Sequence, residues 1–372
     1  MKVLFITNFE APYRIDFYNE LTNYMDLTVA FFDSKEQQKG RCSEWFVEVE
    51  YKFNHILLKQ SKFLNGHICY GVKELVLDKS YDLIMLDSYC EYTGMYAIKQ
   101  LKKYDIPFVL EADGGFAKSG KGFKELLKKK LISSATWWIG TGEATTQYLE
   151  FYGAKRENTY SYPFTTVAQK DIVTGLITKE EKQVIKQEFG ITEEKVILNV
   201  GQFIPLKAND ILIQACKNLD KSIGIYLVGG KPTQEYLDLK DKYGLSNLHF
   251  IDFMVKDELI KYYKAADVFC FPTRGDVWGL VVNEAMAQGL SVITTDRCIA
   301  GLELIKDEEN GYIVPVDDVK AFTEKLNIIL NNDDLAKTMS QNNIEKIKQY
   351  TIENMAIRHK EIFDDILKSK GK

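Results

Sequence analysis

Histidine is scarce here: the 372 residues contain four, at positions 55, 67, 249 and 359, and no two have metal-ligand spacing. The six cysteines (42, 69, 90, 216, 270 and 298) include no Cys-x-x-Cys pair, which argues against a zinc site and for free thiols in a reducing compartment. No Asp-x-Asp stands anywhere in the chain, so no divalent metal is called for. No apolar run approaches the roughly 18 residues a membrane span requires. The opening Met1-Lys-Val-Leu-Phe-Ile-Thr-Asn8 is too short for a leader and reads as a first buried strand. That strand leads into Asn8-Phe-Glu-Ala-Pro-Tyr-Arg14, not Gly-x-Gly-x-x-Gly, so the first half is not expected to hold a dinucleotide. A net charge of −5 disfavours nucleic acid as a partner.

What is present is an alternation. Short apolar runs at Val3–Thr7, Leu27–Phe32, Asp82–Leu86, Phe108–Glu111 and Trp137–Ile139 predict strands. Helical patterns lie between them at Arg14–Tyr24, Tyr92–Lys103 and Glu143–Tyr152. The second half repeats the scheme with strands at Lys195–Val200, Ile223–Val228 and Leu248–Ile251 and helices at Thr233–Tyr243 and Lys256–Ala265. Such alternation predicts an α/β protein of two Rossmann-like, doubly wound domains. The expected divisions are 1–165, a linker and connecting helix over 166–194, a second domain over 195–350, and a final helix over 351–372 crossing back to the first. Within the linker, Thr178-Lys-Glu-Glu181 reads as a capping box.

One stretch concentrates the chemistry: Phe271-Pro-Thr-Arg-Gly-Asp-Val-Trp-Gly-Leu-Val-Val-Asn-Glu-Ala-Met-Ala-Gln-Gly289. An apolar strand ends at Phe271, Pro272 breaks it, and a helix starts near Gly279. The first amides of that helix, those of Gly279, Leu280 and Val281, form a ready anion site with the dipole behind them. Asp276 and Glu284 bracket these amides. Carboxylates would repel a phosphate, so their expected task is to accept hydrogen bonds from hydroxyls on either side of it. A polyhydroxylated ligand with phosphate in its middle is a sugar nucleotide.

The stretch resembles the donor-site signature of family 4 of the retaining glycosyltransferases, which have the GT-B fold and carry Glu-x7-Glu at this place. The resemblance implies that Asp276 faces the transferred sugar, Glu284 holds the ribose hydroxyls, and Gly279-Leu280 caps the diphosphate. Thr273 and Trp278 join the donor-binding set on the same ground. The first acid is Asp where the family has Glu, one methylene longer. A second element, Gly201-Gln-Phe-Ile-Pro-Leu-Lys-Ala208, is similar to the family's Gly-Arg-x4-Lys-Gly, whose cations hold the diphosphate. Lys207 matches; Gln202 replaces Arg and Ala208 replaces Gly, so neutralisation should lean on Lys207. Gly229-Gly230, after a strand, permits close approach of a nucleotide, or is a plain turn.

In the first half, Glu111-Ala-Asp-Gly-Gly115 ends a strand, and Asp113 and Glu111 are candidates for the acceptor side of the reaction centre; the alternative is an Asp-Gly turn. Arg14 is either a cleft residue or a surface Arg in a first helical turn. Lys118–Leu131 carries six lysines around Phe123, Leu126, Leu127 and Leu131, a basic amphipathic helix suited to anionic lipid or simply a solvated face. The combined expectation is a retaining, metal-independent glycosyltransferase without a cofactor. It would move sugar from a nucleoside-diphosphate sugar, a UDP-sugar by preference, to a hydroxyl of a glycan or lipid-linked glycan. It resembles enzymes of bacterial polysaccharide and capsule assembly, so the expected place is cytoplasmic, at the inner face of the plasma membrane. A nucleotide-sugar 2-epimerase of the same fold, and a non-catalytic scaffold that binds a nucleotide sugar, remain as alternatives.

Overall fold

The computed structural model describes residues 1–33, 50–117, 120 and 122–370. They fall into two compact units, Met1–Thr166 with the helix Ile352–Lys370, and Val167–Thr351.

The first unit contains β1 (Lys2–Phe9), β2 (Asp26–Asp33), β3 (Asn54–Leu57), β4 (Ser61–Phe63), β5 (Gly66–Ile68), β6 (Leu83–Leu86), β7 (Val109–Ala112), β8 (Trp137–Gly140) and β9 (Thr159–Ser161). Seven of these form a parallel sheet in the order β3-β2-β1-β6-β7-β8-β9, and β4 and β5 make a separate antiparallel hairpin. β6 and β8 are continuous apolar runs, β7 is apolar apart from Glu111, and all three are buried at every residue. That is the mark of parallel strands covered by helices on both faces.

In the second unit, β10 (Lys195–Val200), β11 (Ile223–Val228), β12 (Leu248–Ile251), β13 (Val268–Phe271), β14 (Ser291–Thr295) and β15 (Gly311–Val314) form a parallel sheet in the order β12-β11-β10-β13-β14-β15. In each unit the winding reverses beside one pair of strands, β1 with β6 and β10 with β13. A crevice opens at the carboxyl ends of such a pair.

The capping box forms as the sequence predicts: Thr178 accepts from the Glu181 N–H and the Glu181 side chain accepts from the Thr178 N–H, opening the helix Lys179–Glu188. Pro12 is the first residue of the helix Pro12–Leu21, two residues ahead of the helical pattern read from Arg14. Its fixed φ suits a first helical position and its missing N–H costs nothing there. The helix Ile352–Lys370 packs in the first unit against Pro12–Leu21. Phe363, fully buried, stands 6.1 Å from the Phe5 ring, and His359 stands 4.7 Å from Phe17.

Candidate functional site

In the second unit, the residues after β10 and those after β13 meet at the switch point. Gly279 caps the helix Leu280–Ala287 with φ +101°, a conformation other residues rarely adopt. Space demands glycine as well, since a Cβ there would lie 2.8 Å from Cys298 Sγ and 3.3 Å from the Phe271 ring. The same Phe271 ring lies 5.2 Å from Lys207 Nζ, so Lys207 and the start of the helix share one aromatic floor.

Lys207 and Asp276, expected to serve different parts of a ligand, are joined. Lys207 Nζ donates to Asp276 Oδ2 at 2.5 Å, while Asp276 Oδ1 accepts from the Trp278 N–H at 3.3 Å. Both side chains are mostly covered, 20% and 15% exposed. Glu284 sits one turn into the helix and accepts from the Tyr263 hydroxyl at 2.9 Å. Burial raises its carboxyl above the usual range, against the opposing Tyr263 hydrogen bond and Lys256. Tyr263 is itself buried, and the sequence does not single it out, because a tyrosine in the helix Lys256–Ala265 has no motif around it.

Other residues of the predicted set shape the loop. The Trp278 indole is buried and its Nε1–H donates to Asn283 Oδ1 at 2.8 Å, so it packs behind the loop instead of lining it. Thr273, also buried, donates from Oγ1 to the Leu206 carbonyl at 3.1 Å. A Cβ on Gly229 would stand 2.0 Å from the Gly201 carbonyl oxygen, so this glycine answers to its own chain; around Gly230 the space is open. Gln202 is exposed, and Leu280 and Val281 are partly buried in the first turn of the helix.

In the first unit the switch point gathers charge. Arg14, at 4% exposure, is an interior residue and not a surface one. Its Nη1 donates to Glu111 Oε1 at 3.1 Å, its Nη2 donates to Asp113, and Asp87 Oδ2 lies 3.8 Å away. Thr7 donates to Asp87 at 2.7 Å, and the Tyr162 hydroxyl donates to Glu111. Three carboxylates thus surround one guanidinium, and Asp87 was absent from the predicted set. Burial pushes the Glu111 carboxyl up to about 7, against the pull of Arg14, and also raises Asp87. His359 Nδ1 pairs with the Met355 carbonyl at 2.8 Å, and burial drives its pKa down to about 3, so the ring stays neutral.

The basic helix, Phe123–Ile132, differs from the single stripe expected. Phe123 and Leu126 are 81% and 62% exposed, whereas Leu131 is buried. Lys128 turns toward the rings of Tyr148 and Tyr152, at 5.7 and 5.4 Å. Residues 118, 119 and 121 lie outside the described residues.

With this geometry in place, residues 181–346 match the profile of the glycosyl transferases group 1 family. The matched segment lies within the second unit, and the fold of the chain is GT-B. An uncharacterized glycosyltransferase of Methanocaldococcus jannaschii is 29% identical over 171 residues, 45% of this chain and 48% of that protein. The N,N'-diacetylbacillosaminyl-diphospho-undecaprenol alpha-1,3-N-acetylgalactosaminyltransferase of Campylobacter jejuni is 19% identical over 302 residues, 78% of this chain and 79% of that one. Among solved structures, HepE of Anabaena in complex with UDP superposes with a TM-score of 0.74 at 16% identity and covers both chains completely. In several of the curated matches the chain spans about half of the relative's length, 48% and 49% for example.

The protonation of Glu111 has a consequence for stability. Unfolded, this carboxyl releases its proton near 4.5; folded, near 7. The folded state holds more protons in between, so its contribution is fully present below about pH 4.5 and is lost as pH rises through about 7. Thermal unfolding followed between pH 5 and 8 should show the wild type losing stability, and Glu111→Gln should flatten that slope.

Proposed function

We propose that this protein is a retaining glycosyltransferase that moves a sugar from a nucleoside-diphosphate sugar, by preference a UDP-sugar, to a hydroxyl of a glycan or lipid-linked glycan. One observation carries the reading. A lysine ammonium and a glycine-started helix share the Phe271 floor at a switch point, flanked by two carboxylates. The chemical task is to stabilise the negative charge on a departing nucleoside diphosphate, and preorganised cations and amides do this without reorganisation. Lys207 and the amides of Gly279 and Leu280 are assigned that task. Asp276 is assigned to the transferred sugar and Glu284 to the ribose hydroxyls. The order of events follows from the ion pair: an arriving diphosphate takes Lys207 from Asp276 and leaves that carboxylate free to accept from a sugar hydroxyl. The names of the relatives support sugar transfer, and the UDP held by HepE of Anabaena supports the donor class.

The first unit is assigned the acceptor. Asp87 and Asp113, held by Arg14 beside the buried Glu111, offer carboxylate oxygens at the carboxyl ends of β6 and β7, which suits hydroxyl donors on a glycan. The helix Phe123–Ile132 is assigned a peripheral contact with anionic lipid, supported by the exposed Phe123 and Leu126 beside the exposed Lys124, Lys129 and Lys130. No helix among the described residues is long and apolar enough to cross a membrane. The place that follows is the inner face of the plasma membrane.

Two substitutions separate the roles within the donor site. Lys207→Ala should lower donor handling roughly ten- to a hundredfold, the loss of a charge-assisted contact of about 1.5–3 kcal/mol; Asp276→Ala should abolish transfer while sparing affinity for UDP. Steady-state transfer rates set beside UDP titration calorimetry decide this, and transfer retained by Asp276→Ala refutes the assignment. Because Lys207 and the amides carry the charge stabilisation, EDTA should leave the rate unchanged. Flotation with vesicles containing anionic lipid tests the surface: Phe123→Asp with Leu126→Asp should release the protein from them.

A further inference from the structure

The turn that carries Lys207 has little of the core to hold it. Ile204 and Leu206 are 38% and 49% exposed, and Pro205 is exposed as well. The turn closes through Ala208 in a left-handed conformation, φ +52°, which a residue with a Cβ adopts only when its surroundings impose it. The loop after β13 grips the turn, through the Thr273 hydroxyl on the Leu206 carbonyl and above all through Arg274. Its Nη1 donates to the Pro205 carbonyl at 2.6 Å, and its main-chain N–H donates to the Leu206 carbonyl at 2.8 Å. The guanidinium is braced from the other side. Nη1 and Nη2 grip Asp210 at 3.0 and 2.7 Å, and Nε donates to Asp317 at 2.7 Å.

We propose that Arg274 is a positioning residue: it fixes the Pro205–Lys207 turn and thereby sets where the Lys207 ammonium stands relative to Gly279. This rests on the reading of Lys207 as the cation that meets the diphosphate. Arg274 is not itself a ligand of that phosphate. Four of the five N–H donors a guanidinium possesses are spent on Pro205, Asp210 and Asp317. The planar fork also explains why arginine stands here: a lysine offers one point charge and cannot bridge a carbonyl and two carboxylates at once.

UDP affinity, measured by titration calorimetry on the full chain, tests this with Arg274→Ala, Lys207→Ala and the double variant, and with Arg274→Lys and Asp210→Asn as milder changes. Arg274→Ala should weaken UDP binding about tenfold, as the loss of a charge-assisted contact does. In the Lys207→Ala background the same change should have almost no effect, because the residue acts through Lys207. Arg274→Lys should also weaken binding although the charge is kept, and Asp210→Asn should follow it. A thermal unfolding curve on each variant confirms a folded chain. Equal weakening by Arg274→Ala with and without Lys207, or unchanged affinity in Arg274→Ala or Arg274→Lys, overturns the inference while the donor site stands. Unchanged affinity in Lys207→Ala overturns the donor-site reading itself, and this inference with it.

Discussion

A parallel sheet that winds outward in both directions from one pair of strands leaves a gap no connection can cross. The loops beyond that pair diverge, one to each side, and their main-chain groups have only each other or a ligand to turn to. Both units obey this constraint, at β1 with β6 and at β10 with β13. The residues that matter are those the two loops throw into the gap. Arg14 follows β1 and Asp87 follows β6; Lys207 follows β10 and Asp276 follows β13. Each pairing bridges strands far apart in sequence and adjacent in the sheet.

The two gaps handle charge differently. In the second unit one cation faces one carboxylate, both with some access to water, and the pair is balanced. In the first, three carboxylates share one guanidinium, with Arg14 and Glu111 buried. Burying uncompensated charge is expensive, and the group responds by holding its proton. Glu111 does so, with Tyr162 and Arg14 both on Oε1. One crevice thus presents a paired cation beside a helix start and the other a cluster of carboxylates around a guanidinium, built on the same strand order. Tyr263 and Arg274 act behind the crevice of the second unit, the former on Glu284 and the latter on the turn that carries Lys207.

Much of this was legible in the sequence, where a local pattern has only one reading. Buried parallel strands are largely apolar, so β1, β10 and β13 announced themselves, and the Thr178 capping box is a four-residue signal with one geometry. Asp276 and Gly279 stood out by their place between an apolar strand and a helix, and Lys207 by resemblance to the family's second element. What stayed hidden has a physical cause in each case. Pro12 suits the second position of a turn and the first of a helix equally well, because both want the same φ. The strands β4 and β5 have three residues each and β3 is a lightly buried edge, so none shows a period. Arg274 and Tyr263 act through partners 64 and 21 residues away, and no local pattern encodes such a partnership. The direction of the Trp278 ring was equally out of reach, since a loop tryptophan can face a ligand or the core, and Asn283 decides it.

The helix Ile352–Lys370 belongs to the unit that begins with Met1, so the chain leaves that unit, builds the other, and returns. On the ribosome this inverts the usual order of events, in which the domain synthesised earlier is completed earlier. The second unit, contiguous from Val167 to Thr351, is free to fold during translation. The first must wait, with Phe5 and Phe17 lacking their partners Phe363 and His359, until the closing helix has emerged.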